Sequence, residues 1–488
     1  MEFLNKEEIN KKSAEFYKSS KDLWRDNFHF EAPFGLINDP NGLSYYNGEY
    51  YIFFQWNPYG CEHKYKHWGY VKTKNFKDFS IPKIALIPED YFDKNGCYSG
   101  GAIVKDGNLE VFYTGNVKGD KGERISYQCK GMLQENGEVK KLGPVIEELP
   151  KGYTAHFRDP YVWEKDGEYY MILGIQREDL KGRCVIYKSH DLDNWNFEGE
   201  LKTSYKNFGF MWECPSFFEL DNKEVLIFSP QGLEKEEFRY QNIYQSGYLV
   251  GNFDYGTLEF KSEKYFKELD MGFDFYAPQV FKDEKGRTIM IGWMGLPEKE
   301  EFHCSREKGW IFSLTMPREL TLKDGVLYQN PIKEMESLRG DKIVSLNDVC
   351  TEALNFFKEI KENSYELKID IDRYESSKFK LNFMEGEDEY TSLTYDFEKE
   401  ICLIDRNSMT IGEKGIRKFK LESNGKLKIN MFVDNSSVEI YFQDGKEVAS
   451  LKLYPKKDSF NLSLKTEGGQ AKVNTLNIWK MDEVNYYE

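Results

Sequence analysis

Three carboxylic acids stand at recurring points of this chain: Asp39 in "NDPNG", Asp159 in "FRDP" and Glu213 in "WECP". Taken singly, each has an ordinary reading. An Asp before Pro is a turn former, Arg158-Asp159 is a neighbouring charge pair, and Glu213, after Met211-Trp212, is a satisfied core acid. Gathered in one cavity, they would do chemistry. Like charges held close raise at least one pKa, so one acid stays protonated near neutral pH. A carboxylate nucleophile beside a carboxylic acid that protonates a leaving oxygen is the equipment of glycoside cleavage. Trp56, Trp68, Trp212, Trp293 and Tyr276 lie near the same points and offer flat faces to sugar rings, with strand core as their other reading.

A repeat supplies the means of gathering them. Five times a small or acidic polar residue opens a short strand, a tight turn follows, and then an aromatic-rich strand. The openings fall at Asp39, Ser99, Asp159, Glu213 and Tyr276, spaced by 60, 60, 54 and 63 residues. Turns such as Asn47-Gly48, Asp106-Gly107 and Asp166-Gly167 between apolar runs are hairpin signals. Equal-period β repeats of this size predict propeller blades, whose first strands line a central channel. A β-sandwich with coincidental spacing is the competing arrangement.

These elements predict an all-β protein in three parts. Residues 1–27 form an N-terminal helical segment, with Phe16, Leu23 and Trp24 as docking residues. Residues 28–330 form a five-bladed β-propeller. From 340 to 488, runs such as "SYELKIDIDRY" and "VASLKLYP" alternate with period two and predict an antiparallel β-sandwich.

Bulk properties narrow the partners. The chain has 488 residues and a formal net charge of −16. Its overall field repels nucleic acids and anionic membranes, while leaving room for a small anion in a local basic pocket. No apolar stretch reaches the roughly 18 residues of a membrane span, and the first 21 residues show no apolar signal region. The eight cysteines form no C-x-x-C pair. These features predict a cytoplasmic protein with reduced thiols. Six histidines without clustering predict no metal, and no loop predicts a nucleotide cofactor.

The motifs "NDPNG", "QWNP", "YSGGA", "FRDP", "WECP" and "FYAPQ", in that order, resemble glycoside hydrolase family 32, the enzymes that cleave β-fructofuranosyl bonds. "VDNSSVEIYFQDG" at 433–445 extends the resemblance into the tail. The resemblance implies a five-bladed propeller followed by a β-sandwich, and hydrolysis with retention without metal or cofactor. It implies Asp39 as nucleophile, Glu213 as acid and base, and Asp159 as holder of fructose hydroxyls. Asn38, Gln55, Ser99 and Arg158 would complete the fructose pocket, with Trp68, Tyr98, Tyr276 and Trp293 as further sugar contacts.

Two departures bear on the substrate. Leu36-Ile37 stands where many invertases have Trp-Met, and His63 stands where they often have an aromatic. Both features are similar to the branch acting on sucrose 6-phosphate. His63, Lys64 and Lys66 would then form a basic cluster able to hold the phosphate by charge-assisted hydrogen bonds. The expected partner is a disaccharide phosphate, and the expected assembly a monomer or homodimer. An intracellular hydrolase of sucrose or short fructans, a non-catalytic fructan-binding propeller, and an inverting hydrolase on the same fold remain as alternatives.

Overall fold

The computed structural model describes residues 4–18, 21–351, 355–358, 360 and 363–488. Seven sheets form among them: five are the blades of a propeller and two face each other as a sandwich. Blades two and three are four-stranded meanders built from Ala102–Lys105 to Val139–Ile146 and from Tyr153–Lys165 to Asn196–Glu200. Blade four runs from Met211–Leu220 outward to Glu259–Ser262. Blade five starts at Tyr276–Lys282 and ends at Val326–Pro331.

Each blade buries both faces, which explains the near-continuous apolar runs of the second strands. In "NLEVFYTG", Val111 and Tyr113 pack towards blade one with Phe53 and Trp68, whereas Phe112 packs towards blade three with Met171 and Leu173. The same alternation in "EYYMILG" sends Ile172 to Trp212 and Leu226 of blade four. One apolar cluster seals each interface between neighbouring blades, the last joining Leu36, Ile52 and Phe54 to Phe281, Ile289 and Ile291.

The ring is closed within blade one. Trp310–Ile311, which follows the inner strands of blade five, pairs parallel with the start of Gly35–Tyr46. At the same point Gly35 permits the close approach of the second strand of blade one: its φ is +77°, and a Cβ there would lie 2.0 Å from the Asn57 carbonyl oxygen. The final strand, Asn485–Tyr487, pairs with Asp78–Ser80 on the outer edge of blade one. The sequence had assigned these residues to the sandwich. They leave it because an open edge strand offers unpaired backbone groups that another strand can satisfy.

Among its described residues the N-terminal segment is helical over Lys6–Phe16, begun by a capping box between Asn5 and Glu8. Its anchor is Ile9, fully buried in the cluster of blades one and five. Of the expected docking residues, Trp24 reaches the sandwich instead, its Nε1 donating to the Pro455 carbonyl at 2.9 Å.

A buried ionic seam joins the two domains. Glu439 of the sandwich accepts from Arg318 of blade five at 2.7 Å, from the Met316 backbone N–H at 2.6 Å and from the Tyr441 hydroxyl at 2.6 Å. His29 lies between Asp434 and Glu439, at 3.0 and 3.2 Å from its two ring nitrogens. With a carboxylate at each nitrogen, the ring donates twice and is an imidazolium. Burial pulls its pKa down, but the bonds to Asp434 and Glu439 outweigh this and raise it to about 9. Burial raises that of Glu439, and the Arg318 charge and His29 outweigh it, to about 2.

The seam sets a pH window for stability. His29 stabilises fully below its ordinary 6.5, and its contribution is lost as pH rises through about 9. Glu439 stabilises fully above its ordinary 4.5, and its contribution is lost as pH falls through about 2. Glu439→Gln leaves Arg318 and His29 short of a buried counter-charge and is expected to cost about 3–5 kcal/mol. Urea unfolding at pH 7 measures it; a loss under about 1 kcal/mol would show that the seam is not what holds the domains together.

Candidate active site

The innermost strands of four blades carry the same irregularity. In blade one, Asn38 and Asp39 together face Gln55; in blade three, Asp159 and Pro160 face Leu173. In blade four, Cys214 and Pro215 face Phe228, and in blade five Ala277 and Pro278 face Gly292. Two residues opposite one is a β-bulge. Asp159, Cys214 and Ala277 adopt φ of +66°, +47° and +45°. The bulge breaks the alternation of the strand, so successive residues reach the channel together. Arg158 and Asp159 both line the cavity, as do Asn38 and Asp39.

This corrects the phase read from the sequence. Counted from the prolines, Cys214 rather than Glu213 is the counterpart of Asp39 and Asp159. Its Sγ lies 3.7 Å from Asp39 Oδ2 and 3.6 Å from Asp159 Oδ2. Glu213 shares its position with Asn38, Arg158 and Tyr276. All three acids nevertheless reach one cavity of about 390 Å³.

Each carboxylate is held differently. Asp39 accepts from the Ser99 hydroxyl on Oδ2 and from the Asn38 amide on Oδ1 at 3.1 Å. Lys66 fixes that amide by donating to Asn38 Oδ1 at 2.6 Å, which turns the NH₂ towards Asp39 and towards Gln55 Oε1 at 2.7 Å. Asp159 accepts from the Cys214 backbone N–H at 3.0 Å. Glu213 accepts from Arg158 on Oε1 at 2.5 Å, and on Oε2 from Gln231 at 2.6 Å and the Tyr276 hydroxyl at 2.7 Å.

Their electrostatics differ accordingly. Burial raises the Asp39 carboxyl above its ordinary range, against the bond from Ser99, the charge of Lys66 and the bond from Asn38. Asp159 is pushed up to about 7, chiefly by burial; the Arg158 charge opposes this and the Glu213 charge adds to it. The cavity therefore retains a proton near neutral pH. Burial also brings Lys66 down to about 7, against the charges of Asp39 and Glu300.

Gln55, Tyr98, Ser99, Arg158, Tyr276 and Trp293 line the cavity as the sequence suggests. Trp68 does not: it is fully buried between blades one and two, and its Nε1 donates to the Tyr98 carbonyl at 2.9 Å. Trp56 and Trp212 are equally buried. These tryptophans lie where blade packs on blade, and their indoles fill that interface. His63 and Lys66 line the cavity, and with Lys64 they line an adjoining groove, but the charges of this cluster are engaged. Lys64 is exposed and pairs with Glu62 at 2.8 Å; Lys66 is committed to Asn38. His63 stands 3.8 Å from Glu300 and is held neutral by burial and then by the Lys66 charge. Sequence reasoning missed Gln231, Arg124, Tyr244, Glu298 and Glu300, which also line the cavity. Gln231 ends the second strand of blade four, in "SPQG".

A channel-end cavity in a propeller, with three acids and aromatic walls, defines a glycoside hydrolase. Residues 29–331 match the family description "Glycosyl hydrolases family 32 N-terminal domain" and residues 334–480 match "Glycosyl hydrolases family 32 C terminal". The chain belongs to glycosyl hydrolase family 32. It is 40% identical over 484 residues to the sucrose-6-phosphate hydrolase of Bacillus subtilis strain 168, covering 97% of each chain. Among solved structures it is similar to the sucrose-6-phosphate hydrolase of Lactobacillus gasseri, with TM-score 0.88, 30% identity and coverage of 98% of this chain and 96% of that one. It is also similar to a β-fructofuranosidase of Bombyx mori, with TM-score 0.85, 31% identity and coverage of 99% of both.

The contrast between two tryptophans is testable. Trp68→Phe removes a buried hydrogen bond and packing, at an expected cost of about 1–3 kcal/mol in unfolding free energy, with KM within about threefold of wild type. Trp293→Phe, on the cavity wall, is expected to raise KM more than it lowers stability. The assignment of Trp68 to the core fails if Trp68→Phe shifts KM as strongly as Trp293→Phe.

Proposed function

We propose that this chain hydrolyses the β-fructofuranosyl bond of sucrose 6-phosphate with retention, releasing fructose and glucose 6-phosphate. The observation that carries the reading is the convergence of Asp39 and Glu213 on one cavity, each with its own set of donors. The names of the relatives supply the phosphorylated substrate.

Asp39 is the nucleophile. Its oxygens are held by Ser99 and Asn38, which fix the carboxylate while it attacks the fructosyl anomeric carbon. The glycosidic C–O bond breaks, and its electron pair leaves on the glucosyl oxygen, which takes a proton from Glu213. Glu213 then removes a proton from water, which attacks the anomeric carbon and displaces Asp39. Arg158, Gln231 and Tyr276 orient Glu213 for both proton transfers. Asp159 holds fructose hydroxyls and bears on the positive charge that develops on the sugar ring.

The B. mori similarity favours a second reading, hydrolysis of unphosphorylated sucrose. The ratio of kcat/KM for sucrose 6-phosphate to that for sucrose decides: more than about tenfold is expected, and a ratio near one selects the second reading.

Two further outcomes follow from the geometry. Asp39→Asn is expected to lower kcat by roughly 10⁴–10⁶-fold while sugar binding persists, and NMR of the wild-type reaction should show retained configuration in the first-formed fructose. An inverted first product would exclude a covalent intermediate on Asp39. Because Asp159 is raised to about 7, it is protonated below that pH and ionised above it, and the ionised form is the one that bears on the developing positive charge. The kcat/KM profile is therefore expected to rise as pH rises through about 7, an apparent value belonging to the cluster as a whole. A flat profile from pH 6 to 9 would contradict this.

A further inference from the structure

The cavity mouth is electrically one-sided. Glu298, which accepts from the Tyr244 hydroxyl at 2.9 Å, and Glu300, beside the neutral His63, make one side acidic. A phosphate dianion is repelled there. Arg124 lines the same cavity, its guanidinium 5.6 Å from the centre of the Tyr98 ring. The other two cations of the cavity are committed, Lys66 to Asn38 and Arg158 to Glu213. Arg124 makes no ion pair among the described residues.

A second cation stands opposite it. Arg124 opens the strand Arg124–Leu133, and its cross-strand partner in register is Lys118, the last residue of Asn108–Lys118. Lys118 lines the adjoining groove of about 830 Å³, which shares His63, Lys66 and Tyr98 with the cavity. It is exposed and also forms no ion pair among the described residues. Like charges directly opposite on paired strands destabilise a hairpin. An anion lying between them removes that repulsion; the Glu123 carboxylate of the hairpin tip is turned to the turn itself, accepting from the Lys121 backbone N–H at 3.0 Å.

Resting on the sugar-phosphate reading above, we propose that Arg124 and Lys118 form the phosphate subsite. The phosphate monoester on the glucosyl group lies where Tyr98 separates the cavity from the groove. Arg124 takes two of its oxygens through the guanidinium fork, and Lys118 supplies a point charge from the solvent side. The subsite's two cations are thus carried by the β-hairpin of blade two, while the His63–Lys66 loop lines the same groove with its charges already engaged.

The test is a ratio measured on the full-length enzyme: kcat/KM for sucrose 6-phosphate over kcat/KM for sucrose. Arg124→Gln is expected to lower this ratio by roughly tenfold to a hundredfold, Arg124→Lys by less, and Lys118→Gln by roughly threefold to tenfold. Glucose 6-phosphate as a competitive inhibitor should weaken in the same order. If wild type prefers the phosphorylated sugar and Arg124→Gln keeps the wild-type ratio within threefold, the subsite assignment is overturned while the function stands. An equal loss on both sugars would make Arg124 a general sugar contact and also overturn the subsite. A wild-type ratio near one overturns both.

Discussion

A β-strand alternates its side chains, so a straight strand at the centre of a propeller would give the channel every second residue. The bulge at the start of a blade removes that limit, and the site depends on it. It lets Asn38 with Asp39, and Arg158 with Asp159, reach one cavity in pairs. It also places a side chain with positive φ in the tightest part of the ring, where each such residue costs about 1–3 kcal/mol unless its surroundings impose it. The prolines answer a related problem. A bulge leaves a backbone N–H without a ladder partner, and Pro160, Pro215 and Pro278 have no N–H to leave unpaired. The recurrent X-Pro is therefore the signature of a bulge as much as of a turn.

That explains what was legible in the sequence and where the reading slipped. The period was visible because hairpin turns and aromatic strands recur at fixed distance. The phase of Glu213 was misjudged because a sequence shows which residues precede a proline, not which of two bulged neighbours enters the channel. The propeller followed by a sandwich could be read from the repeat, the period-two runs and the motifs. The fates of Trp68 and Trp212 could not be read, since a tryptophan between blades and one on a cavity wall have the same local sequence. Gln231 and Arg124 enter from second strands or hairpin ends, outside the recurrent openings, and no repeat marks them. Lys66 was noted for its charge, but its bond to Asn38 spans 28 residues and turns a suspected surface cation into a support for Asp39.

The second domain acts on the first through buried charge. Asp434 accepts from the backbone N–H groups of Asn27, Phe28 and His29, at 2.7–3.0 Å, and so fixes the segment that leads into blade one. Lys452 reaches Asp26 at 3.1 Å, and Arg406 reaches Asp274 at 3.1 Å. Such pairs add less to stability than their number suggests, because desolvation offsets much of the attraction. Their stronger effect is on specificity: a sandwich docked one register away would leave several buried charges unpaired. The domain thereby constrains blade one twice, at the entry segment Asn27–His29 and, through Asn485–Tyr487, at its outer edge.

The remaining tension is between a chain of net charge −16 and the anionic substrate proposed for it. Distance resolves it. Charges more than about 8 Å apart across solvent are largely screened at physiological ionic strength. The phosphate is therefore governed by the few groups at the mouth rather than by the total. Those groups come from different blades: Glu298 and Glu300 follow the second strand of blade five, and Arg124 opens the third strand of blade two. A sugar phosphate entering phosphate-first against the glutamates is repelled, whereas one turned by half a circle is attracted. On the reading proposed above, the two glutamates and the Arg124 charge would together set which end of an anionic disaccharide enters first.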